Sequence, residues 1–258
     1  MPLNIVTSKG TAAKTQIYIS PEQVQAHKWK ELMQSISSGR YCDSYKIGDM
    51  LPITIGRFGQ MYARIIAMDM DELSGNGGKK AALTFMLSKC LPEPKPMNQE
   101  TAKEDPNNRT LFAPGTGAVD GWGACTMRKY LNEEVFPEFP QFIRENIVPV
   151  TKISRTFTAS SQIFDVATDD KLWLLSKREV FGPGRFTEMA GPVYDEFFKY
   201  RYDDRIIMDS DGNASWWWLR SASSHSYFNY VGSGGSSPSS IATNDGGVAV
   251  GFCIETKP

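Results

Sequence analysis

The chain has 258 residues, a formal net charge of −1, and a composition of 41% hydrophobic and 12% aromatic residues. This length accommodates one large domain or two small ones, and the apolar fraction is sufficient for a buried core. A charge so close to zero argues against a nucleic-acid partner, and the lack of any run of 18 apolar residues argues against a membrane span.

The first 19 residues are mixed and polar, and they have no apolar segment of the secretory type. We therefore predict an N-terminal arm over residues 1–19 and a single domain over residues 20–258. The domain should begin with a helix, because Ser20 and Gln23 form a capping-box pattern around Pro21. Apolar residues then recur at helical spacing until Gly39 ends the helix: Val24, Trp29, Leu32, Met33 and Ile36.

From Tyr45 onwards the apolar period changes to two, which is the period of a strand. This pattern predicts three antiparallel strands joined by hairpins, over residues 47–55, 61–68 and 81–87. Residues 91–118 are rich in proline and predict a long surface excursion. A second main helix follows, with Thr126 as its cap and its end before Asn132. The remaining predictions are a short helix over 140–145, strands over 146–154 and 171–176, a turn or short helix from 176, and a helical segment over 194–202.

The C-terminal stretch has two apolar ends and a polar middle. Both ends, Trp216–Leu219 and Val248–Ile254, are typical of buried strands. Because strand faces alternate, Trp217 should face away from its two neighbours. Between the ends, residues 221–247 (the tract) have an amino-acid composition typical of binding loops. In such loops Tyr supplies contact area, and Ser or Asn supplies hydrogen bonds.

The tract contains no Lys, Glu, Gln, Met or Trp. Codons that end in a pyrimidine cannot encode these five amino acids. Randomising the adenines of asparagine codons would therefore produce the set of residue types found in the tract. An ordinary Gly/Ser-rich loop has a similar composition, and composition alone favours that interpretation.

The order of several short motifs resembles that of a known protein family. The run from Trp217 to Ala222, the tract, and the run from Gly247 to Ile254 together resemble the C-terminus of variable proteins of diversity-generating retroelements, found in bacteria and their phages. The segments at 45–49, 122–132 and 172–179 also fall in the order seen in that family. The resemblance covers residues 20–258. It implies an α+β domain of C-type-lectin-like fold, with two main helices and twisted antiparallel sheets, whose C-terminal surface is mutagenised at adenines.

From this resemblance we expect a ligand-binding, receptor-recognition protein without catalytic activity, with a protein or cell-surface ligand. Synthesis in the bacterial cytoplasm, followed by assembly into a phage virion or display at a cell surface, fits this expectation, as does an oligomer or virion partner. Tyr227 and Tyr230 are the expected anchors. The full expected contact set is Ser223, Ser224, His225, Tyr227, Asn229, Tyr230, Ser233, Gly235, Ser236, Ser237, Ser239, Ile241, Thr243 and Asp245.

Two alternatives stay open. The first is a structural virion or surface subunit whose tract is merely exposed to solvent. The second is an oxidase of the related formylglycine-generating kind, which needs a copper-type site or paired cysteines such as Cys125 and Cys253. Because the four cysteines form no CxxC pair, the sequence gives no zinc site, and we predict no metal and no cofactor. The lack of a signal peptide favours mostly buried reduced thiols, and one or two disulfides stay open as the alternative.

Three further residue groups receive structural interpretations. Residues 209–213 space oxygen ligands like the start of a calcium loop, but Ala214 and Arg220 stand where Gly and Glu are needed, so a surface turn is predicted. Arg220 itself is expected to stabilise the fold by pairing with a carboxylate. His27 is expected at the surface of the first helix.

Overall fold

The computed structural model describes residues 3–4, 16–17, 20–98, 121–157, 162–198, 202–224 and 227–256. These residues combine helices with antiparallel sheets, which is the predicted α+β class. The α-helices are α1 (Pro21–Ser37), α2 (Tyr41–Ser44), α3 (Thr126–Tyr130), α4 (Gln141–Arg144), α5 (Lys177–Phe181) and α6 (Asp195–Phe198). A π-helical turn spans Leu131–Val135, and 3-10 turns span Gly56–Phe58, Phe136–Glu138 and Tyr202–Arg205.

The strands fall into several antiparallel sheets. They are β1 (Leu3–Asn4), β2 (Gln16–Ile17), β3 (Met50–Ile55), β4 (Gly59–Met68), β5 (Leu83–Leu87), β6 (Ile147–Val148), β7 (Val150–Phe157), β8 (Ile163–Asp170), β9 (Leu172–Trp173), β10 (Ile207–Met208), β11 (Ala214–Ser215), β12 (Trp217–Ala222), β13 (Tyr227–Val231), β14 (Ser239–Ile241) and β15 (Gly251–Ile254). Within the described part of the chain, no helix is long and apolar enough to cross a membrane.

Helix α1 confirms the capping prediction. The Ser20 hydroxyl accepts from the Gln23 N–H at 3.3 Å, and the Ser20 N–H donates to the Gln23 side chain at 2.9 Å. The helix ends at Ser37, and Gly39 follows with φ of 68°. Trp29 is buried and its indole N–H donates to the Pro52 carbonyl at 2.8 Å. Val24, predicted on the apolar face, is instead exposed, because the helix turns Gln25 towards the core.

The main sheet contains the three predicted hairpin strands in the order β3-β4-β5, and β15 continues it beyond β5. Strand β15 is central, since β6 and β9 both pair with its other edge. The sheet is curled like half a barrel. Strand β3 begins at Met50 rather than at residue 47, because Lys46 and Asp49 close a turn through two hydrogen bonds.

The second helix differs from the prediction at both ends. Cys125 occupies the N-cap position and Thr126 is the first helical residue, with its hydroxyl bonded to the Met97 carbonyl. The helical chain continues past Asn132 as a π-helical turn, because Leu131 and Val135 remain buried. The two longest helical segments of the described residues are therefore α1 and the irregular segment from Thr126 to Glu138.

The middle of the chain follows the predicted order with shorter elements. The predicted strand over 146–154 is divided at Pro149, which has no N–H to donate, into β6 and β7. Only residues 172–173 of the predicted strand over 171–176 pair with β15. The short helix α4 is confirmed, and α5 fulfils the prediction at residue 176. Of the predicted helix over 194–202, residues 195–198 are helical and 199–201 lie outside the described residues.

The tract forms most of a second sheet, in the order β12-β13-β14. No strand was predicted between the two apolar ends, whereas the structure has β13 and β14 there. Phe228 and Val231 are fully buried, so β13 has the apolar contacts that hold a strand against the core. The predicted excursion over 91–118 lies outside the described residues from 99 onwards, and its first part, residues 91–98, pairs with the end of the tract.

Strand β12 separates two hydrophobic cores. Trp218 packs in the larger core with Trp29, Phe85 and Phe252. Trp217 packs in the smaller one with Leu219 and other residues near α5 and α6. The prediction that Trp217 faces away from its neighbours is confirmed, and Trp216 is the half-buried member of the run.

Candidate ligand-binding surface

Both ends of the tract are joined by backbone hydrogen bonds. The Trp218 N–H donates to the Gly247 carbonyl at 3.0 Å, and the Gly247 N–H donates to the Trp216 carbonyl at 3.2 Å. A Cβ atom on Gly247 would lie 2.5 Å from the Trp216 carbonyl oxygen and 2.7 Å from the Cys90 sulfur. Only glycine fits this close approach, so the two strands that hold the tract meet at a fixed point.

A buried ion pair links β12 to α5. The Arg220 guanidinium donates to both oxygens of Glu179, at 2.5 and 2.8 Å, and to the Leu174 carbonyl at 2.7 Å. Burial alone would raise the pKa of Glu179, but the charges of Arg220 and Lys152 lower it to about 2. Glu179 also accepts from the Ser176 N–H at 2.7 Å and so caps α5. The predicted structural role of Arg220 is confirmed.

The ion pair extends into a buried cluster that the sequence did not reveal. The Lys152 ammonium donates to Asp71 at 2.5 Å, to Glu179 at 3.2 Å and to the Tyr194 hydroxyl at 2.8 Å. It also lies 3.9 Å from the centre of the Trp173 ring. These groups come from distant parts of the chain, so no local pattern identifies them. All of these side chains are buried, so we assign the cluster a structural role.

The expected contact residues differ in exposure. Exposed members are Tyr227, Ser233, Ser236, Ser239 and Asp245. Half-buried members are Ser223, Ser224, Tyr230, Ser237, Ile241 and Thr243. Asn229 and Gly235 are buried, and His225 lies outside the described residues. Most of the expected set therefore reaches solvent on the same small sheet and its turns.

The two expected anchors occupy different environments. Tyr227 is 43% exposed on β13. Tyr230 instead packs against Trp216, with ring centroids 4.7 Å apart, and against Trp218 at 6.2 Å. Tyr227 is therefore the more accessible of the two, whereas Tyr230 is half-buried against the tryptophans.

The two buried members have structural reasons for their positions. Gly235 closes a turn with φ of 78°, and its N–H donates to the Gly232 carbonyl at 2.8 Å. Asn229 is 3% exposed, and its side-chain amide donates to the Ser221 carbonyl at 3.0 Å. Its amide oxygen accepts from the Lys177 ammonium at 3.1 Å.

A cavity of about 230 Å³, the Lys177 pocket, opens beside Asn229. Four members of the expected contact set line it: Ser223, Asn229, Ser237 and Ser239. Four further lining residues are not in the expected contact set: Arg155, Phe157, Lys177 and Phe186. Phe186 is 61% exposed, which is unusual for so large an apolar side chain. These residues lie on β7, on α5 and after it, so only the fold brings them to the tract.

The residues considered for other chemistry lie away from this pocket. Residues 209–213 form a turn in which Asp209 accepts from the N–H groups of Asp211 and Asn213, both at 2.9 Å. Within the described ranges, no cluster of His, Cys, Asp and Glu side chains suits a metal ion. Cys125 and Cys253 are free thiols, and burial raises the pKa of Cys125 to about 12. His27 is exposed beside Glu31, as predicted.

Comparison with known proteins gives one family. The family described as a domain of unknown function, DUF6273, matches residues 114–256, which include the tract, the Arg220 ion pair and the Lys177 pocket. No curated protein and no solved structure matches the chain.

Proposed function

The chain belongs to the DUF6273 family, whose description leaves its function open, and on that premise we propose a non-catalytic ligand-binding role. In this proposal the fold is of the C-type-lectin-like kind, and the tract is a surface diversified by a retroelement, as the sequence resemblance implies. The ligand is a protein or cell-surface molecule that contacts the exposed side chains of the tract.

One observation carries the proposal: the exposed residues of the tract belong to a sheet whose first strand is buried along its whole length. Every residue of β12 is buried, whereas Tyr227 on β13, Ser239 on β14, and Ser233 and Ser236 in the turn between them are exposed. Substitutions at exposed positions usually change the free energy of unfolding by less than about 0.5 kcal/mol. A binding surface held by strands also loses less conformational entropy on contact than a free loop does.

A display library tests the proposal directly. The four exposed positions Tyr227, Ser233, Ser236 and Ser239 are randomised together in the full chain, and the library is selected against one purified, immobilised protein. We expect folded variants that bind the immobilised protein specifically. The matched control randomises four buried positions of the same sheet: Leu219, Ala222, Phe228 and Val231.

The possible outcomes separate the proposal from the structural-subunit alternative. A library that folds but yields no binder supports a subunit whose tract is merely exposed. A library that unfolds as readily as the buried control contradicts the proposal altogether, since the exposed residues would then be part of the fold.

The diversification itself is tested by sequencing the DNA beside the gene. We expect a near-repeat of the codons for residues 221–247, rich in adenine where the tract varies, next to a gene for a reverse transcriptase. Without these neighbours the diversification proposal is withdrawn, and the selection experiment alone decides on ligand binding.

A further inference from the structure

We propose that the Lys177 pocket receives a carboxylate-bearing side chain, Asp or Glu, from a protein ligand bound on the exposed face of the tract. This inference rests on the proposed function and assigns a chemical class to one part of the ligand.

The charged residues that line the pocket are both cations. Arg155 and Lys177 line it, and no acidic residue does. Two carboxylates lie behind this wall, and both already accept hydrogen bonds. Glu188 is buried and accepts from the backbone N–H groups of Arg155 and Arg178 and from the Ser221 hydroxyl. Asp165 accepts from the Met189 N–H and lies 3.9 Å from Arg155.

Within the described ranges, the Lys177 ammonium has no carboxylate in direct contact, although the charge of Glu188 acts on it from a greater distance. The ammonium donates to the neutral amide oxygen of Asn229. Among the residues that the structure describes, no carboxylate oxygen lies within 4 Å of this ammonium. Burial lowers the pKa of Lys177, since the half-buried charge has lost part of its hydration. A carboxylate that enters the pocket would replace that hydration. It would accept hydrogen bonds from the N–H groups of the Lys177 ammonium that do not donate to Asn229.

Arg155 strengthens the positive potential at the same wall. Its side chain is 7% exposed, and its Nη1 donates to the Arg185 carbonyl at 3.2 Å. Its Nε is buried without a hydrogen-bond partner. The guanidinium is therefore fixed in place, while Lys177 on its flexible stem supplies the direct contact.

The size of the pocket suits one side chain. Its volume of about 230 Å³ is below the roughly 300–1,000 Å³ of pockets for small-molecule ligands. Phe157 and Phe186 offer apolar contact to the methylene groups of an acidic side chain. The hydroxyl of Ser237 is buried on the wall without a partner and can donate to the entering oxygen. The mouth includes exposed Ser239, so the pocket and the rest of the tract can contact one ligand together.

The probes are the glutamate derivative Ac-Glu-NH2, its neutral match Ac-Gln-NH2, and glucuronate. Each is titrated into the isotope-labelled full chain, and the NMR signal of the Asn229 side-chain amide reports on the pocket. We expect a saturable shift with Ac-Glu-NH2 and none with Ac-Gln-NH2. Lys177→Gln should weaken binding of Ac-Glu-NH2 by about ten-fold or more, as expected for a hydrogen bond to a charged group. Lys46→Gln, a matched change on an exposed turn, should leave it unaltered.

A second variant keeps the test decisive if Lys177→Gln does not fold. Ser239→Asp places a negative charge at the exposed mouth and should also weaken binding of Ac-Glu-NH2. Equal binding of the two peptide probes, no saturable shift with Ac-Glu-NH2, or no loss in Lys177→Gln would overturn the inference. Tighter binding of glucuronate would assign the pocket to acidic sugars and overturn the protein source.

The inference and the proposed function fail in different ways. If the display library gives folded binders and Ac-Glu-NH2 does not bind, only the assignment of the pocket is lost. If Ac-Glu-NH2 binds and the library gives no binder, the pocket stands as a carboxylate site and the diversified-surface proposal is lost.

Discussion

At the residue scale, a few buried side chains and one glycine hold the two ends of the tract in place. Arg220 was recognisable in the sequence as a structural cation, but its partner Glu179 was not. The reason is physical: the ion pair joins β12 to α5, two elements that are distant in sequence, and only the packed fold sets their separation. The same holds for Lys152 and Asp71, which no local pattern connects.

Glu179→Gln tests the ion pair and its dependence on pH. Removing one partner of a buried pair costs about 3 kcal/mol or more, so the variant should be less stable at pH 7 by that amount. The folded-state pKa of Glu179, about 2, lies below its ordinary value of 4.5. The unfolded chain therefore binds the proton first, and the stabilisation disappears as the pH falls from 4.5 towards 2.

Urea unfolding at a series of pH values measures both effects. The difference in unfolding free energy between the parent protein and Glu179→Gln should be greatest near pH 7 and should shrink below pH 4.5. A difference that stays constant down to pH 3 would mean that Glu179 is not held ionised by Arg220 and Lys152.

Gly247→Ala tests the close approach at the base of the tract. The added methyl group would lie 2.5 Å from a backbone oxygen, so β12 and the residues before β15 must separate. We expect a loss of stability of about 2 kcal/mol or more, as for other changes that force a packed backbone apart. Gly234→Ala is the control, because nothing lies within 4 Å of its added atom. Similar melting temperatures for the two variants would contradict this account.

At the element scale, the tract combines buried and exposed residues in one sheet. One face of β13 carries Phe228 into the larger core, and the flanking Tyr227 is exposed. No strand was predicted between residues 221 and 247, because the Gly and Ser content there is typical of loops. The helix α1 and the strands β3, β4 and β5 were predicted almost completely, because each carries its own capping or hairpin signal. The Lys177 pocket could not be predicted, since it is formed between elements.

Four simultaneous alanine substitutions test the separation of the two faces. Tyr227, Ser233, Ser236 and Ser239 are replaced together, and thermal unfolding is followed by circular dichroism. We expect the melting temperature to stay within a few degrees of the parent, since surface changes are worth about 0.5 kcal/mol each or less. The single change Phe228→Ala should instead cost about 3 kcal/mol or more, because it opens a cavity in the core. The reverse order of the two effects would refute the assignment of faces.

At the scale of the whole molecule, the segment matched by the family depends on chain that precedes it. Strand β15 lies within the matched residues 114–256, but its long partner is β5, with Phe252 opposite Phe85. The end of the tract likewise pairs with Lys95 through two backbone hydrogen bonds of 3.0 and 3.1 Å. The cores described here are thus completed by residues 20–98.

Expression of residues 114–256 alone tests this dependence. We expect a fragment without cooperative thermal unfolding, because β15 loses its ladder to β5 and Phe252 loses its stacked partner. Addition of a separate fragment of residues 20–98 should restore near-ultraviolet circular dichroism. A fragment 114–256 that unfolds cooperatively on its own would assign an independent domain to the matched range.

The opposite orientations of Trp217 and Trp218 have a consequence for the alignment of β12. A shift of β12 by one residue would exchange the two indoles between the two cores, so the packing of this pair favours one alignment of the strand. The chain therefore enters the tract from a defined starting point. We expect substitutions at the exposed turn positions to change the outer side chains without displacing that starting point.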